Sequence, residues 1–486
     1  MGVVKAEDAP TKTVAVVGTG MAGLVTAYLL RQDKYNRFDV EVFEAQDQCS
    51  FDSASVTVSS KDGTRTSRVD QPMRAFDRGY YANLTAMYDY LDVRYHQERF
   101  FFSFARLPSH GSTVSGSSMT EPQPYFIHSS NNHRIPPMRP EACGMWTWLS
   151  ETVYLAFCLV WFTVLCLFVQ PKDSRSIDGQ VRHCESLEQY LRRIWIPKYF
   201  IKSYLLPGLA SISTCTHAEM LNFPAKDVID YKIRSLNSPH LRVSGGVSEV
   251  QKKLCQGLTV HFNCRVTTIS QNDSTVRVLW ESPKHDSCDG TSNQKTFDHV
   301  ILAVPPNVVG SIFAPLKSEM SHIPTAAVES IIHTDIPATG QQHSHNALYQ
   351  LDSHPVPPNW IHFRSSTHLT EAIHEDPETS VIVTNFPTTP IDPSKIISRT
   401  HFTRTLRTPR SRDIVNRIFD PSYQRRSASV GDESMSKRAR RFINGDGNVW
   451  LVGSWCWDGM VLLEGCVVSA TRVAGELGVE IPWRTL

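Results

Sequence analysis

The sequence predicts a mixed α/β fold with two domains. A β-branched strand, a glycine-rich turn and a helix follow one another over residues 13–30. A second strand ends at the acidic residue Glu44, and residues 447–477 repeat the order of strand, glycine turn and helix. Strands that alternate with helices in this way are typical of a parallel sheet covered by helices.

The composition of the 486 residues excludes some classes of function. The 49 lysines and arginines nearly balance the 48 aspartates and glutamates, so nucleic acid is not an expected partner. The eleven cysteines form no C-x-x-C pair and no metal-binding pattern with histidines, so no metal site is predicted. The first thirteen residues lack the apolar core of a secretory signal, and we therefore expect an intracellular protein.

The first glycine-rich turn has the spacing of a dinucleotide-binding turn. Gly18 permits a tight turn, Gly20 lets the backbone approach a pyrophosphate, and Gly23 lets the helix pack close to the strand. The start of the helix offers free N–H groups to the phosphates. The alternative is a strand and helix that bind no nucleotide. The residues predicted to bind the dinucleotide here are Gly18, Thr19, Gly20, Met21, Ala22 and Gly23.

The second strand supplies the acidic residue that such a turn requires. Residues 38–46 alternate as a strand that ends at Glu44, 21 positions after Gly23. A carboxylate there can accept hydrogen bonds from both ribose hydroxyls of an adenosine. Glu44 and the adjacent Ala45 are therefore predicted to bind the nucleotide.

Two distant segments complete the pattern. Residues 243–269 are predicted to form a glycine turn, a helix and a strand that ends at Arg265 and Val266. Residues 447–477 are predicted to form a strand, a glycine turn at Gly453, a loop and a long helix that opens near Gly465.

These segments together resemble the flavin-containing amine oxidase superfamily, which also holds flavin desaturases and isomerases. The sequence is most similar to a group of predicted FAD/NAD-binding oxidoreductases within it. The closer likeness is carried by residues 69–93 (VDQPMRAFDRGYYANLTAMYDYLDV), 204–225 (YLLPGLASISTCTHAEMLNFPA), 333–340 (HTDIPATG) and 381–397 (VIVTNFPTTPIDPSKII).

The resemblance implies a flavoprotein with a glutathione-reductase-like FAD-binding Rossmann domain and an inserted α+β substrate domain. It implies that FAD is shared between N-terminal and C-terminal segments, with the adenine near the backbone of Val266. It also implies that four residues lie near the pyrophosphate, the ribityl chain or the flavin ring: Gly453, Ser454, Glu464 and Gly465.

The chain departs from the family pattern at three points. The family's Gly-Gly pair after the ribose acid has no counterpart in residues 45–53. Gln71 and Pro72 replace the glycine that follows Val-Asp, and Ser454 stands where many members have aspartate.

Residues 153–169 form a nearly uninterrupted apolar run that begins shortly after Trp146 and Trp148. A single membrane crossing is not expected, because Gly18 precedes the run and Gly453 follows it, and both must reach one cofactor. The alternatives are a helix that enters one leaflet, a lid over the substrate tunnel, and a buried core helix.

The predicted FAD-binding domain is discontinuous and comprises residues 1–105, 236–310 and 440–486. The predicted substrate domain comprises residues 106–235 and 311–439, including an apolar helix at 150–170.

The favoured function is an FAD-dependent oxidoreductase that dehydrogenates an apolar small molecule, such as a lipid or a secondary metabolite, with membrane contact through residues 153–169. One alternative is a flavin desaturase or isomerase without net O₂ use, and another is a redox-inactive membrane-associated binding protein. The pattern assigns no catalytic residue. Trp455 and Trp457 pack either on the substrate or in the core.

Overall fold

The structure is a computed structural model. It describes residues 11–59, 63, 66–107, 122–130, 137–174, 183–282, 293–336, 359–376, 379–419 and 441–483. Of the segment 333–340, which carries part of the family resemblance, residues 337–340 lie outside the described residues.

A five-stranded parallel sheet forms the centre of the nucleotide-binding half. Its strands, in spatial order, are Thr259–His261, Phe38–Phe43, Lys12–Val17, His299–Leu302 and Val449–Leu451. Val14, Val16 and Ile301 are fully buried, as expected for a parallel sheet covered on both faces. The sheet thus joins strands from both ends of the chain.

The elements around the first turn follow the sequence prediction closely. The first strand is Lys12–Val17, the first helix is Met21–Arg31, and the second strand is Phe38–Phe43. The prediction of a strand that ends at Arg265 and Val266 is wrong, because one strand ends at His261 and another begins at Arg265. The chain breaks at Asn263, whose φ of 55° is left-handed, so a new strand begins at Arg265.

Beside this sheet lies a three-stranded antiparallel sheet of strands Arg265–Asn272, Thr275–Glu281 and Asn293–Phe297. Its inner residues Ile269, Val276 and Val278 share a hydrophobic core with the parallel sheet. The described residues also form three two-stranded antiparallel ribbons. These are Val56–Ser59 with Thr66–Val69, Tyr95–Gln97 with Leu241–Val243, and Asp173–Ser174 with His183–Cys184.

A seven-stranded sheet forms the other half of the molecule. Its strands, in spatial order, are Ile396–Thr405, Thr325–His333, Val381–Asn385, Thr370–Asp376, Asn359–Ser365, Phe100–Arg106 and Pro124–Ser129. All neighbours are antiparallel except Asn359–Ser365 and Phe100–Arg106, which pair in parallel. The boundary drawn at residue 105 therefore falls inside one of these strands.

Helices cover both sheets. They span Met21–Arg31, Ala82–Tyr90, Met145–Phe168, Leu187–Arg193, Lys198–Phe200, Leu206–Ser213, His217–Leu221, Ala225–Arg234, Val247–Cys255, Pro306–Ile312, Lys317–Met320, Pro409–Phe419 and Leu463–Glu476. Shorter helical turns occupy Ile201–Leu205, Ala314–Leu316, Pro393–Lys395 and Asp446–Asn448.

The apolar run lies within the helix Met145–Phe168, which we call the apolar helix. Among the described residues, this is the one helix whose length and apolar composition would allow it to cross a membrane. Its buried residues Leu155, Cys158, Phe162 and Cys166 form one stripe, and only 22% of its most apolar window is buried. It is therefore a surface helix with one packed face, which disfavours the core-helix alternative.

Candidate cofactor and substrate site

The glycine turn has the close packing that its spacing predicts. Gly18 has a φ of 102°, and a Cβ there would lie 2.8 Å from the carbonyl oxygen of Ala303. A Cβ on Gly23 would overlap the carbonyl oxygen of Gly18, so helix and strand leave no room for a side chain. Gly20 has nothing within 4 Å of its Cβ position. The turn is thus tight at two glycines and open at the third, where the backbone can approach a ligand.

Glu44 lies beside this turn, but its carboxylate is already bonded. Oε2 accepts a hydrogen bond from the Thr19 backbone N–H at 3.0 Å and another from the Thr19 hydroxyl. Oε1 accepts one from the backbone N–H of Gln46 at 3.0 Å. The side chain is 5% exposed and fixes the turn relative to the second strand. A bond to a ribose stays a prediction, as does a contact by the exposed Ala45.

Val266 lies close to this region. The backbone N–H groups of Asn263 and Cys264 donate to the carbonyls of Gln46 and Glu44, each at 2.8 Å. Val266 follows two residues later, is 8% exposed and pairs with Trp280 across the neighbouring strand. The structure therefore brings the third segment next to the end of the second strand.

The C-terminal segment reaches the same edge of the parallel sheet. Gly18 and Gly453 each follow a parallel strand, and such strands all point their carboxyl ends at one edge. The Gly453 N–H donates to Ser469 Oγ at 3.0 Å, which fixes the loop to the helix Leu463–Glu476, the C-terminal helix. That helix packs along Met21–Arg31. Three remote segments thus meet around one edge.

Glu464 is bonded to the start of a neighbouring helix, and its position near the cofactor stays a prediction. Its carboxylate accepts hydrogen bonds from the backbone N–H groups of Asn83 at 3.0 Å and Leu84 at 2.9 Å, and from the Asn83 side chain at 2.6 Å. It therefore caps the start of the helix Ala82–Tyr90. Burial raises the pKa of this carboxyl group, while the bonds from Asn83 lower it.

The loop before the C-terminal helix is packed against itself. A Cβ on Gly465 would lie 2.5 Å from the Ser454 carbonyl oxygen, so glycine is required there by the loop. The Trp457 indole donates to the Met460 carbonyl at 2.9 Å, and Trp455 is 3% exposed. Neither indole lines the cavity described next, so the structure favours core packing for both tryptophans.

A cavity of about 450 Å³ lies between the seven-stranded sheet and the C-terminal loop. Its apolar wall includes Phe100, Phe102, Phe104, Tyr204, Phe363 and Leu462. Three of these phenylalanines come from alternate positions of one strand, which therefore share a face. Ser454 and Cys466 line the same cavity, and so it opens onto the segment that reaches the sheet edge.

Arginines give this cavity its charge. Arg74 Nη2 donates to the Phe51 carbonyl at 2.9 Å, whereas the buried Nη1 has no hydrogen-bond partner among the described residues. Arg404 also lines the cavity, and burial lowers the pKa of both guanidinium groups. Sequence reasoning did not single out Arg404. Its segment is an alternating strand, and an arginine in such a strand gives no signal of facing a cavity.

Comparisons with known proteins agree with this architecture. The family model for flavin-containing amine oxidoreductases matches residues 155–403, and that for an NAD(P)-binding Rossmann-like domain matches residues 16–91. The chain belongs to the flavin-containing amine oxidoreductase family. Like other members it is a FAD-dependent, amine-oxidase-like oxidoreductase. Curated proteins give no significant match to the sequence.

Several solved structures share the fold. A fatty acid isomerase from P. acnes that produces CLA has a TM-score of 0.55 at 13% identity, over 96% of this chain and 98% of that one. Cyclohexylamine oxidase from Brevibacterium oxydans IH-35A has a TM-score of 0.52 at 12% identity, over 96% and 100%. A redesigned putrescine oxidase has a TM-score of 0.51 at 13% identity, over 96% and 98%.

The residues present fit a flavin dinucleotide. The open space at Gly20 can admit a pyrophosphate, and the unpartnered Arg74 nitrogen is a spare cationic donor. Among the described residues, no cluster of three histidine, cysteine or acidic side chains could hold a metal ion.

Proposed function

We propose that this oxidoreductase dehydrogenates an apolar small molecule held in the aromatic cavity. The observation that carries the proposal is the shared wall. Ser454 and Cys466 belong to the segment at the sheet edge, and Phe102 and Phe363 belong to the other half, yet all four line one cavity. A substrate in this cavity would touch both halves of the protein.

The FAD would lie along the sheet edge in a glutathione-reductase-like arrangement. In this proposal the N–H groups at the start of Met21–Arg31 face the pyrophosphate, and Gly20 allows its close approach. Gly453, Ser454 and Gly465 face the ribityl chain or the ring. When bound, FAD supplies hydride acceptance. The chain's own residues orient the substrate and keep water away from it.

The cavity wall favours an apolar substrate such as a lipid or a secondary metabolite. Phe102 stacks on Phe363 with ring centroids 5.9 Å apart, and Phe104 contacts Tyr204 at 5.4 Å. Aromatic surfaces of this kind gain free energy by removing apolar ligand area from water. A strongly hydrated group placed against this aromatic wall would lose its hydration without replacement.

The test is anaerobic reduction of the bound flavin. Purified, FAD-loaded protein is mixed with candidate apolar substrates, and the flavin absorbance is followed. Substrate-dependent bleaching is expected, with O₂ uptake when air is admitted. Flavin that no substrate bleaches would contradict the proposal and favour the redox-inactive binding protein.

A second candidate is an isomerase or desaturase that uses FAD without net O₂ consumption. One of the similar structures is a fatty acid isomerase, and its chain is covered almost completely. Product formation without O₂ uptake would favour this candidate over an oxidase.

The proposed location is intracellular and at a membrane, with the apolar helix in one leaflet. Its exposed face includes Phe157, Val160 and Val164, each at least 40% exposed. Burying such a face in lipid removes a large apolar area from water. A complete crossing is disfavoured, because strands from before and after the helix join one sheet.

The neighbourhood of the apolar helix favours anionic lipid over a protein partner. The Glu151 carboxylate accepts a hydrogen bond from the Tyr199 hydroxyl at 2.7 Å, so the segment around Tyr199 packs against the helix. That segment exposes the cations Arg192, Lys198 and Lys202 and the indole of Trp195, which is 86% exposed. Cations and tryptophan beside an apolar face are typical of membrane interfaces.

Vesicle sedimentation tests this location. The protein is expected to sediment with phosphatidylcholine vesicles that contain phosphatidylserine, and less with phosphatidylcholine alone. The double variant Phe157→Ser, Val160→Ser should lose this binding, whereas Tyr35→Ser, an exposed aromatic outside the helix, should keep it. A protein that binds neither vesicle and forms a dimer disrupted by the double variant would contradict the proposal.

A further inference from the structure

The cavity contains more positive than negative charge. Among the described residues that line it, Arg74 and Arg404 are cationic and Asp77 is the carboxylate. The Asp77 carboxylate is already used. Oδ1 accepts from the N–H groups of Gly79 at 2.8 Å and Tyr80 at 2.7 Å, and Oδ2 accepts from the Ser235 hydroxyl at 2.8 Å.

Arg404 has weak partners. Its Nε and Nη2 atoms donate to the carbonyls of Ser213 and Ile212, each at 3.4 Å, and it forms no ion pair with a described residue. Burial lowers the pKa of its guanidinium, but arginine stays protonated in proteins. Arg404 is half-buried, and a cation that is partly removed from water without a counter-charge is costly, so an anionic ligand would reduce that cost.

The two arginines are held by different segments of the chain. Arg74 donates to the Phe51 carbonyl and lies over the Phe51 ring at 4.8 Å, so it is tied to the loop after the second strand. Arg404 belongs to the strand Ile396–Thr405 of the seven-stranded sheet. Arg74 is therefore anchored to the nucleotide-binding half of the protein, whereas Arg404 is carried by the seven-stranded sheet that forms the aromatic wall.

The histidines of the cavity do not change this balance. Burial lowers the pKa of His128, His240 and His374, so these imidazoles are neutral near pH 7. They neither attract an anion by charge nor offer a counter-charge to a cation. The charged side chains that line the cavity as a whole, two arginines and one aspartate, therefore sum to one net positive charge.

We propose that Arg404 binds the anionic group of the substrate, so that this cavity accepts an apolar carboxylate and disfavours a protonated amine. This inference rests on the proposed function and names its substrate class. The aromatic wall would hold the apolar chain, and the guanidinium would hold the carboxylate by two parallel hydrogen bonds.

Calorimetric titration with three ligands that share one alkyl chain tests the charge preference. The probes are decanoate, its neutral methyl ester and decylamine, each added to FAD-loaded protein. Decanoate is expected to bind at least about tenfold more tightly than the other two, because a desolvated charged hydrogen bond is lost in each of them. Equal affinities, or tighter binding of decylamine, would overturn the inference.

Variants identify the cation responsible. Arg404→Gln should reduce the affinity for decanoate at least about tenfold and leave that for the methyl ester unchanged, and Arg404→Lys should retain part of the preference. Arg399→Gln is the matched control on the same strand, since Arg399 is exposed and paired with Glu329. Circular dichroism of each variant checks the fold.

The phosphates of the cofactor are the other anion that Arg404 could bind. If they are its partner, Arg404→Gln will raise the dissociation constant for FAD and leave decanoate binding unchanged, which overturns the inference. The proposed function would be contradicted by a different result, namely that no substrate reduces the flavin. The preference for decanoate over decylamine could still be measured in that case.

Discussion

The two halves of the site differ in how they are built. The glycine turn uses residues 18–23, which are consecutive in the chain, and its geometry follows from three glycines. The cavity wall draws Phe102, Tyr204, Ile361 and Leu462 from four remote segments. Local spacing therefore determines the glycine turn, whereas tertiary packing assembles the cavity. This difference explains why the sequence indicates the cofactor more directly than the substrate.

The halves also differ in tolerance to change. A Cβ atom added to Gly18 or Gly23 would lie too close to a neighbouring backbone carbonyl, so the turn cannot accept a side chain at either position. The cavity is lined by side chains that can be exchanged singly with a limited loss of packing. We expect substitutions in the turn to affect folding or FAD binding, and substitutions in the cavity to affect substrate choice.

The largest loss of stability is expected at the junction between the halves. Arg412 is buried and forms ion pairs with Asp173 at 2.9 Å, Asp227 at 3.0 Å and Asp458 at 2.7 Å, so it joins three segments. Arg412→Met should lower the free energy of unfolding by about 3–5 kcal/mol, because it leaves Asp227 buried without its closest counter-charge. Chemical denaturation measures the change.

Arg192→Met is the control for this prediction, since Arg192 is exposed and pairs only with Glu188 on its own helix among the described residues. An exposed pair of that kind contributes little to stability. Equal effects of the two substitutions would show that the buried cluster does not join the halves.

Gly23→Ala should have the next largest effect. The added methyl group would overlap the Gly18 carbonyl, and a backbone atom cannot move away without opening the turn. We expect a loss of about 3 kcal/mol in the free energy of unfolding, with loss of FAD binding. Gly475→Ala, in the C-terminal helix with open space around it, should be neutral or stabilising. A stable Gly23→Ala protein that binds FAD normally would show that the close packing at Gly23 does not exclude a side chain.

Particular residues show how far sequence reasoning reaches. The strand, turn and helix at residues 12–31 were predicted nearly to their ends, because hydrophobic pattern and glycine spacing are local. The cap made by Glu464 could not be predicted, since its partners Asn83 and Leu84 are 380 or more residues away. The apolar helix was predicted as a helix, but periodicity does not say which face the rest of the chain covers.

Gly20→Ala separates cofactor binding from folding. Nothing lies within 4 Å of its Cβ position, so the FAD-free protein should unfold at the same denaturant concentration as the unsubstituted chain. The methyl group would occupy space proposed for the pyrophosphate, and the dissociation constant for FAD should rise at least about tenfold. Gly475→Ala, also in open space but outside the cavity lining, is the control. Unchanged FAD affinity would mean that the pyrophosphate lies elsewhere.

The smallest effect is a pH dependence from the seven-stranded sheet. Burial lowers the pKa of His333 to about 4, below its ordinary value, so the unfolded state binds a proton more readily than the folded state. Its contribution to stability is present above the unfolded-state pKa and is lost as the pH falls towards 4. Between pH 7 and pH 5.5 we expect a loss of about 1 kcal/mol, measured by denaturation, and a smaller loss in His333→Gln. An identical pH profile for that variant would contradict this assignment.

The central claim is that three remote segments meet around one flavin dinucleotide. The most direct measurement is the ratio of FAD to protein after the purified chain has been reconstituted with FAD and freed of excess by gel filtration. We expect a ratio near one, which falls sharply in Gly20→Ala and stays near one in Gly475→Ala. A well-folded protein that retains no FAD after reconstitution would contradict the account.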